Sequence, residues 1–463
     1  MSNSKNRKHL QSIIIVLVIL LAVLGGVAVF LTQDPGPSIS TDPSTGPATT
    51  PSTQSTTAPT TQPTEATQPT TAPTEPPVVL SSTATISATG DMLMHMPVVN
   101  RFYRDGSYNF DGIFSCFKDY VNLSDFAVAN LETTLCGLDN GYNYSGYPAF
   151  NCPDAIMDGL KNAGFDMILT ANNHSYDTNV VGMRRTLDII ADRKLLSLGT
   201  GKEAGFPKFT VRKINGISVG MACYTYNIGT RDDGSIHLNN SEVPLSLEAT
   251  NMLCTFDYSR LDAFYQEMEQ NLAQMKAQGA EATVIFIHWG NEYQLTQNQS
   301  QTAIAQKLCD LGVDVIIGGH PHVVQPVELL TSTTDADHKT VCLYSMGNAV
   351  SNQRQGYLSS ITTAHTEDGM LFSVTFAKYS DGTVVLQSAE LLPTWVNGNY
   401  TILPLDSNQE TWQTRFGVSD WELTKMRDSY TRTMDIVGPG MIQVSTYLKD
   451  RTAQIEALLN VQK

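Results

Sequence analysis

Five apolar segments of this chain each lead into residues that bind metal ions or carry protons, and that arrangement limits the fold more than any other feature. TATISATG leads into Asp91, with His95 four residues on; DFAVA leads into Asn130 and Glu132; MILTA leads toward Asn173 and His174. TVIFI ends at His288, and VDVIIGG runs into His320 and His322. Each apolar run reads as a buried strand. Amphipathic segments lie between them: PDAIMDGLKNAG, opened by Pro153 and stopped by Gly164, then VVGMRRTLDIIADRK, SRLDAFYQEMEQNLAQMKAQG and QTAIAQKLCDLG. Strands alternating with helices predict an α/β domain around a buried sheet. In such sheets ligands gather beyond the carboxyl ends of the strands. The five tips therefore deliver their polar groups to one edge.

Singly, each of these residues reads as an ordinary turn or surface position. The set is more specific: of the eight histidines beyond residue 77, only His237, His338 and His365 stand away from strand ends. Carboxylates with imidazoles form an oxygen and nitrogen donor set that suits manganese, iron, zinc or magnesium. Seven cysteines occur without CxxC spacing, so no zinc ribbon is predicted. Cys136 and Cys152, flanking a Gly/Tyr/Asn loop, are the pair most worth testing for a disulfide.

Ahead of this domain, Lys5, Arg7 and Lys8 precede nineteen uncharged, mostly apolar residues from Ile13 to Leu31. As a helix they span about 28 Å, close to the hydrocarbon core of a bilayer. With basic residues only on the N-terminal flank, residues 1–12 are expected in the cytoplasm and everything past a 13–31 anchor outside. The run is long for a signal peptide, and no small-x-small cleavage site follows it. Residues 32–77 are mostly Thr, Pro, Ser and Gln and read as a disordered, extended stalk. The main domain is expected over 78–400. A C-terminal helical extension packing on that domain is expected over 401–463, with one helix from the Ser419 to Glu422 capping box to about Ile436 and another after Gly440. A formal charge of −16 argues against nucleic acid as a partner.

The ordered series GDMLMH, NLETTL, LTANNHSYD, FIHWGNEY, IIGGHPHVVQPVE and YSMGN resembles the CapA-type poly-γ-glutamate capsule synthesis family in content and order, over about residues 84–350. The tail segments LPLDSNQ and SDWELTKMRDSYTRT also look like that family's C-terminal part. The family is in turn similar to calcineurin-like metallophosphoesterases, which implies a four-layer αββα sandwich with two divalent metal ions. On that resemblance Asp91 matches the first Asp-x-His motif, with His95 as its histidine at a longer spacing. Glu132 stands where the superfamily has a bridging Asp, Asn173 is a ligand, and His288, His320 and His322 complete the set. His174 faces the leaving group. Asp177 either orients His174 or starts the following helix at Val180. Asn130, Glu292, Tyr293 and Asn348 are read as the substrate side, with Arg354 as either an anion clamp or a plain surface arginine.

Three functions follow from these residues. One is a capsule synthesis or export factor that handles an anionic polymer such as poly-γ-glutamate, in company with the membrane and other capsule-synthesis membrane proteins. Another is a surface metal-dependent hydrolase of phosphoester or polymer amide bonds, and the third is a non-catalytic surface binding domain.

Overall fold

Two mixed sheets stand face to face because their central strands are apolar on both sides. In this computed structural model the described residues are 77–463, apart from 140, 232–233, 240–242, 358–360, 460 and 462–463. The predicted anchor and nearly all of the predicted stalk lie outside them. The first sheet has the order β17 (Ile402–Pro404), β16 (Val384–Val396), β15 (Asp368–Tyr379), β1 (Leu80–Met92), β4 (Phe126–Leu131), β5 (Met167–Leu169) and β6 (Leu196–Leu198). The short β14 (Asn348–Val350) pairs with the end of β1. The second sheet has the order β12 (Val327–Thr331), β13 (Lys339–Leu343), β11 (Val315–Gly319), β10 (Ala282–His288), β8 (Ile217–Asn227) and β7 (Phe209–Ile214), with β9 (Thr255–Asp257) beside β8. A separate hairpin joins β2 (Tyr103–Arg104) and β3 (Ser107–Tyr108).

Period-two alternation sorts the side chains into layers. Ala84, Ile86, Ala88 and Val128 of the first sheet meet Val219, Met221, Val284, Phe286, Val315 and Ile317 of the second in one core. Ala127 and Ala129 point the other way, against α1 (Met96–Arg101), α2 (Asp111–Phe114), α3 (Lys118–Val121), α4 (Ala155–Ala163) and α5 (Asn179–Asp192). After the short α6 (Leu247–Thr250), the outer face of the second sheet packs Ile285, Ile287 and Ile316 against α7 (Leu261–Ala277) and α8 (Gln299–Asp310). The layers therefore run helix, sheet, sheet, helix, as a mixed α/β architecture.

The C-terminal part departs from expectation. The strand β17 adds to the first sheet, and after α9 (Trp412–Phe416) a single helix α10 spans Asp420–Leu458. It runs straight through Gly438-Pro439-Gly440, where the sequence reads as a break. Its capping box at Ser419 and Glu422 forms as expected. Val437, Val444 and Leu448 enter the core between the sheets. Among the described residues no helix is long and apolar enough to cross a membrane. The proposed Cys136 to Cys152 bond is not formed: Cys152 is a buried free thiol whose pKa burial pushes well up.

Candidate metal centre and adjoining cleft

Parallel pairing brings the strand ends into line. Asp91 at the end of β1 is in register with Asn130 of β4 and with Asn348 of β14, and His288 of β10 lies opposite Gly319 of β11. Gly90 lets this happen, since a Cβ there would lie 2.0 Å from the Gly347 carbonyl oxygen. A Cβ at Gly319 would fall 2.8 Å from Asp91 Oδ1, so the two sheet edges meet across that glycine.

The donors converge into two groups, Asp91 with Glu132 and His322, and Glu132 with His288 and His320; within each, one ligand atom per residue lies within 4.8 Å of the others. Glu132 belongs to both. Its two carboxylate oxygens are buried and have no hydrogen-bond partner. His288 Nε2 is 3.5 Å and His322 Nε2 3.8 Å from Glu132 Oε1. The other carboxylate is held firmly: Asn130 Nδ2 donates to Asp91 Oδ1 (2.8 Å) and the His320 backbone N–H donates to Asp91 Oδ2 (3.0 Å). His322 Nδ1 lies 3.3 Å from Asp91 Oδ2. His320 and His322 both adopt positive φ, +97° and +57°. Non-glycine residues rarely hold that conformation, and each costs about 1–3 kcal/mol, so the surrounding structure enforces it.

Electrostatics match the geometry. Burial opposes ionisation of Asp91, yet His322 and His288 with Asn130 hold its pKa below the usual value. Burial also pushes His322 down, but the charges of Glu132 and Asp91 outweigh it and bring it to about 9. Burial drives His320 well down, leaving it neutral. The pocket thus concentrates negative charge that a divalent cation would compensate, and a neutral imidazole is the form that ligates metal. An orphaned, buried carboxylate among imidazoles is the donor set such an ion requires.

Asn173 joins the group through Oδ1, 2.8 Å from His288 Nε2. His174 Nδ1 is 2.7 Å from Asp177 Oδ2. Asp177 therefore orients the histidine, and the same oxygen accepts from the Phe150 N–H (2.6 Å) while α5 starts beyond it at Asn179. Burial would lower His174, but the Asp177 carboxylate reverses that and raises it. His95 belongs to neither group: its Nδ1 accepts from the Asn352 N–H (3.3 Å), its ring packs edge-on to Phe150, and burial lowers it to about 4.

The residues read as the substrate side divide. Glu292 lines a cleft of about 430 Å³ together with Asn173, His174 and Asp177. Tyr293 stands beside it, its ring 6.2 Å from that of His322 and its hydroxyl accepting from Gln353 Nε2 (3.1 Å). Asn130 is buried and spent on Asp91, and Asn348 is buried and donates toward the His322 carbonyl (3.2 Å) and its neighbours. Arg354 does not reach the site. Its guanidinium is buried, donating to the carbonyls of Val396 and Asn397 and pairing with Glu367 at 2.9 Å.

Tyr226 is a site residue that the sequence reading missed: its hydroxyl is 3.2 Å from His320 Nε2. It sits near the C-terminal end of β8, the same kind of position as the candidate donors, so the strand-end rule could have found it. Asn172, which donates to Asn130 Oδ1 (3.2 Å) and to the Leu131 carbonyl (2.8 Å), gave no such signal.

Residues 85–353 match the family model described as bacterial capsule synthesis protein PGA_cap. The PGA biosynthesis protein CapA of Bacillus subtilis is 26% identical over 282 residues, 60% of this chain and 66% of that protein. The capsule biosynthesis protein CapA of Bacillus anthracis is 26% identical over 276 residues, 58% of this chain and 60% of that protein. The chain thus spans less than two thirds of the length of either relative. A solved structure described as a candidate 5'-nucleotidase from Staphylococcus aureus aligns with a TM-score of 0.42 at 14% identity, covering 75% of this chain and 58% of that one.

Proposed function

The chain belongs to the bacterial capsule synthesis protein family PGA_cap, and from that premise we propose that it serves the synthesis or export of an anionic capsule polymer such as poly-γ-glutamate. In this reading a metallophosphoesterase-like domain stands outside the cell on the 13–31 anchor and the 32–77 stalk and carries a dinuclear divalent-metal centre. The names of the two Bacillus relatives support the capsule role.

The observation that carries the metal reading is Glu132. Both of its oxygens are buried without a hydrogen-bond partner, a state that costs about 1–3 kcal/mol or more for a charged group, and only the imidazoles of His288 and His322 stand near it, at 3.5 and 3.8 Å. Asp91, Glu132 and His322 would hold one ion, and Glu132, His288 and His320 the other, with Asn173 beside His288. When bound, two such ions supply Lewis acidity and an activated water.

The rest is done by this chain's own groups. Asn130 and the His320 N–H fix Asp91, and Tyr226 fixes His320. Asp177 holds His174 Nδ1, which leaves Nε2 to hold or deliver a proton on the cleft side. That dyad favours the hydrolase reading over pure binding, since a buried carboxylate on an imidazole at the cleft wall is the arrangement of an acid–base pair.

Elemental analysis of the purified full chain tests the centre. We expect about two divalent ions per chain, and His320→Ala with His322→Ala to lose them; metal content unchanged in the double variant would sink the assignment. A screen of phosphoesters and of poly-γ-glutamate separates turnover from binding, with turnover expected to vanish in His174→Ala. For the anchor, the intact chain is expected in the membrane pellet, released only by detergent. Recovery of the intact chain from culture supernatant would overturn that placement.

A further inference from the structure

Tyr226 stands where the metal centre meets the cleft. It lies near the carboxyl end of β8 and lines the cleft together with Asn173, His174 and Glu292. Of the three tyrosines in the described lining, Tyr147, Tyr176 and Tyr226, only Tyr226 sets its hydroxyl on a histidine of the centre, 3.2 Å from His320 Nε2. We propose that Tyr226 is a catalytic residue whose phenol O–H donates to the substrate oxygen on which negative charge gathers as the bond at the centre breaks.

The direction of one hydrogen bond carries the argument. His320 Nδ1 is buried and has no partner. An N–H at that atom would be a buried donor with nothing to bond, and it could not hold a cation. The ring proton therefore sits on Nε2, and Nδ1 keeps its lone pair for the ion. Nε2–H then donates to the Tyr226 oxygen, so the tyrosine accepts from the histidine and its own proton is left to donate. A phenol is protonated at neutral pH, and it carries one donor besides its lone pairs. Among the described residues the Tyr226 hydroxyl has no second partner, and the side open to it is the cleft.

His174 and Tyr226 then have separate tasks on one wall. His174, held by Asp177, has a proton for the departing atom. Tyr226 keeps its proton and bonds the oxygen that stays, so no O–H bond breaks at the tyrosine. Charge gathers on a non-bridging oxygen of a phosphoester and on the carbonyl oxygen of an amide alike, and one donor serves either. The ring is fixed before substrate arrives: its centroid is 4.8 Å from that of His320, edge-on, and 5.9 Å from that of Tyr258. A donor set in place beforehand is what makes such stabilisation effective. The assignment rests on reading the centre as the reacting site.

Titration calorimetry on the full chain in detergent, incubated with manganese, tests it with two oxyanion probes: orthovanadate for the phosphoester, and a phosphinate isostere of γ-glutamyl-glutamate for the amide. We expect at least one to bind, which names the bond class, and Tyr226→Phe to weaken it by about tenfold or more with manganese content unchanged. Phenylalanine keeps the ring packing and removes only the hydroxyl. A Tyr226→Phe chain that binds the probe as tightly as the parent overturns the proposal and leaves the centre standing, as does a manganese-loaded parent that binds neither probe. Loss of manganese together with the probe would make Tyr226 a positioning residue for His320 only and would overturn it as well. A parent that takes up no manganese sinks the centre, and the assignment with it.

Discussion

Glu132 is the side chain on which the metal reading turns. A buried carboxylate whose oxygens have no hydrogen-bond partner, with only the imidazoles of His288 and His322 at 3.5 and 3.8 Å, gains from the arrival of a cation. Metal added to chelator-treated chain should therefore raise the unfolding temperature, by the equivalent of about 2.7 kcal/mol when free metal is about a hundredfold over Kd. Glu132→Gln should lose most of that rise. The metal-free chain should lose little, because neither Glu132 oxygen has a hydrogen-bond partner to give up and His322, relieved of that charge, can shed its proton. A metal-free Glu132→Gln chain that melts well below the metal-free parent would mean that Glu132 is structural. At this scale the grouped donors were legible, because apolar runs mark where strands end and the donors follow at once. Arg354 was not: only the fold reveals that Glu367 and two carbonyls consume its guanidinium. Tyr226 was hidden inside its own strand pattern, since tyrosine is an ordinary strand former.

Among the elements, α10 is the one whose local sequence misleads. Gly-Pro-Gly normally stops a helix, because proline removes an N–H and glycine costs backbone entropy. Here the two glycines and the proline have different reasons to be tolerated. A Cβ at Gly440 would come within 1.8 Å of the Val327 carbonyl oxygen, so glycine lets α10 lie directly on β12, the edge strand of the second sheet. Pro439 faces solvent, and the packing on either side carries the helix past it. The two positions should respond oppositely. Gly440→Ala is expected to destabilise the chain by about 1–3 kcal/mol through forced separation of helix and strand. Pro439→Ala should be neutral or stabilising, and urea titration of both variants checks this. Equal losses at both positions would mean that the tripeptide acts as one unit. The strands that lead to the site and helices α4, α5, α7 and α8, by contrast, were readable, since their periodicity and their packing agree, whereas the short helices α1, α2, α3, α6 and α9 carry too few residues to show a period.

At the scale of the molecule, the C-terminal part belongs to the body of the domain. The strand β17 extends the first sheet, and α10 lies against both sheets through β16 and β12. The sequence could place a helix after Ser419 but could not say what it covers, because that depends on which strands end up at the sheet edges. Asp406 ties this tail to the helical layer over the first sheet. Its carboxylate accepts from Arg415 (2.7 and 2.9 Å), from the Tyr120 hydroxyl in α3 (2.6 Å) and from the Trp412 indole (3.0 Å). Arg415 foremost, with Tyr120 and Trp412, outweighs burial and holds the Asp406 carboxyl far below the usual carboxylate range. A folded pKa below the unfolded one means that the unfolded chain binds the proton more readily. The stabilisation is then complete above the unfolded value near 3.9 and is lost as the pH falls below it. Asp406→Asn should thus cost about 2 kcal/mol at pH 7, the scale of hydrogen bonds to a charged group. The gap between variant and parent should shrink as the pH is taken down through about 4. Denaturant unfolding of both chains at pH 7 and at pH 3 decides it. A gap that stays constant would assign the contribution of Asp406 to shape and neutral hydrogen bonding.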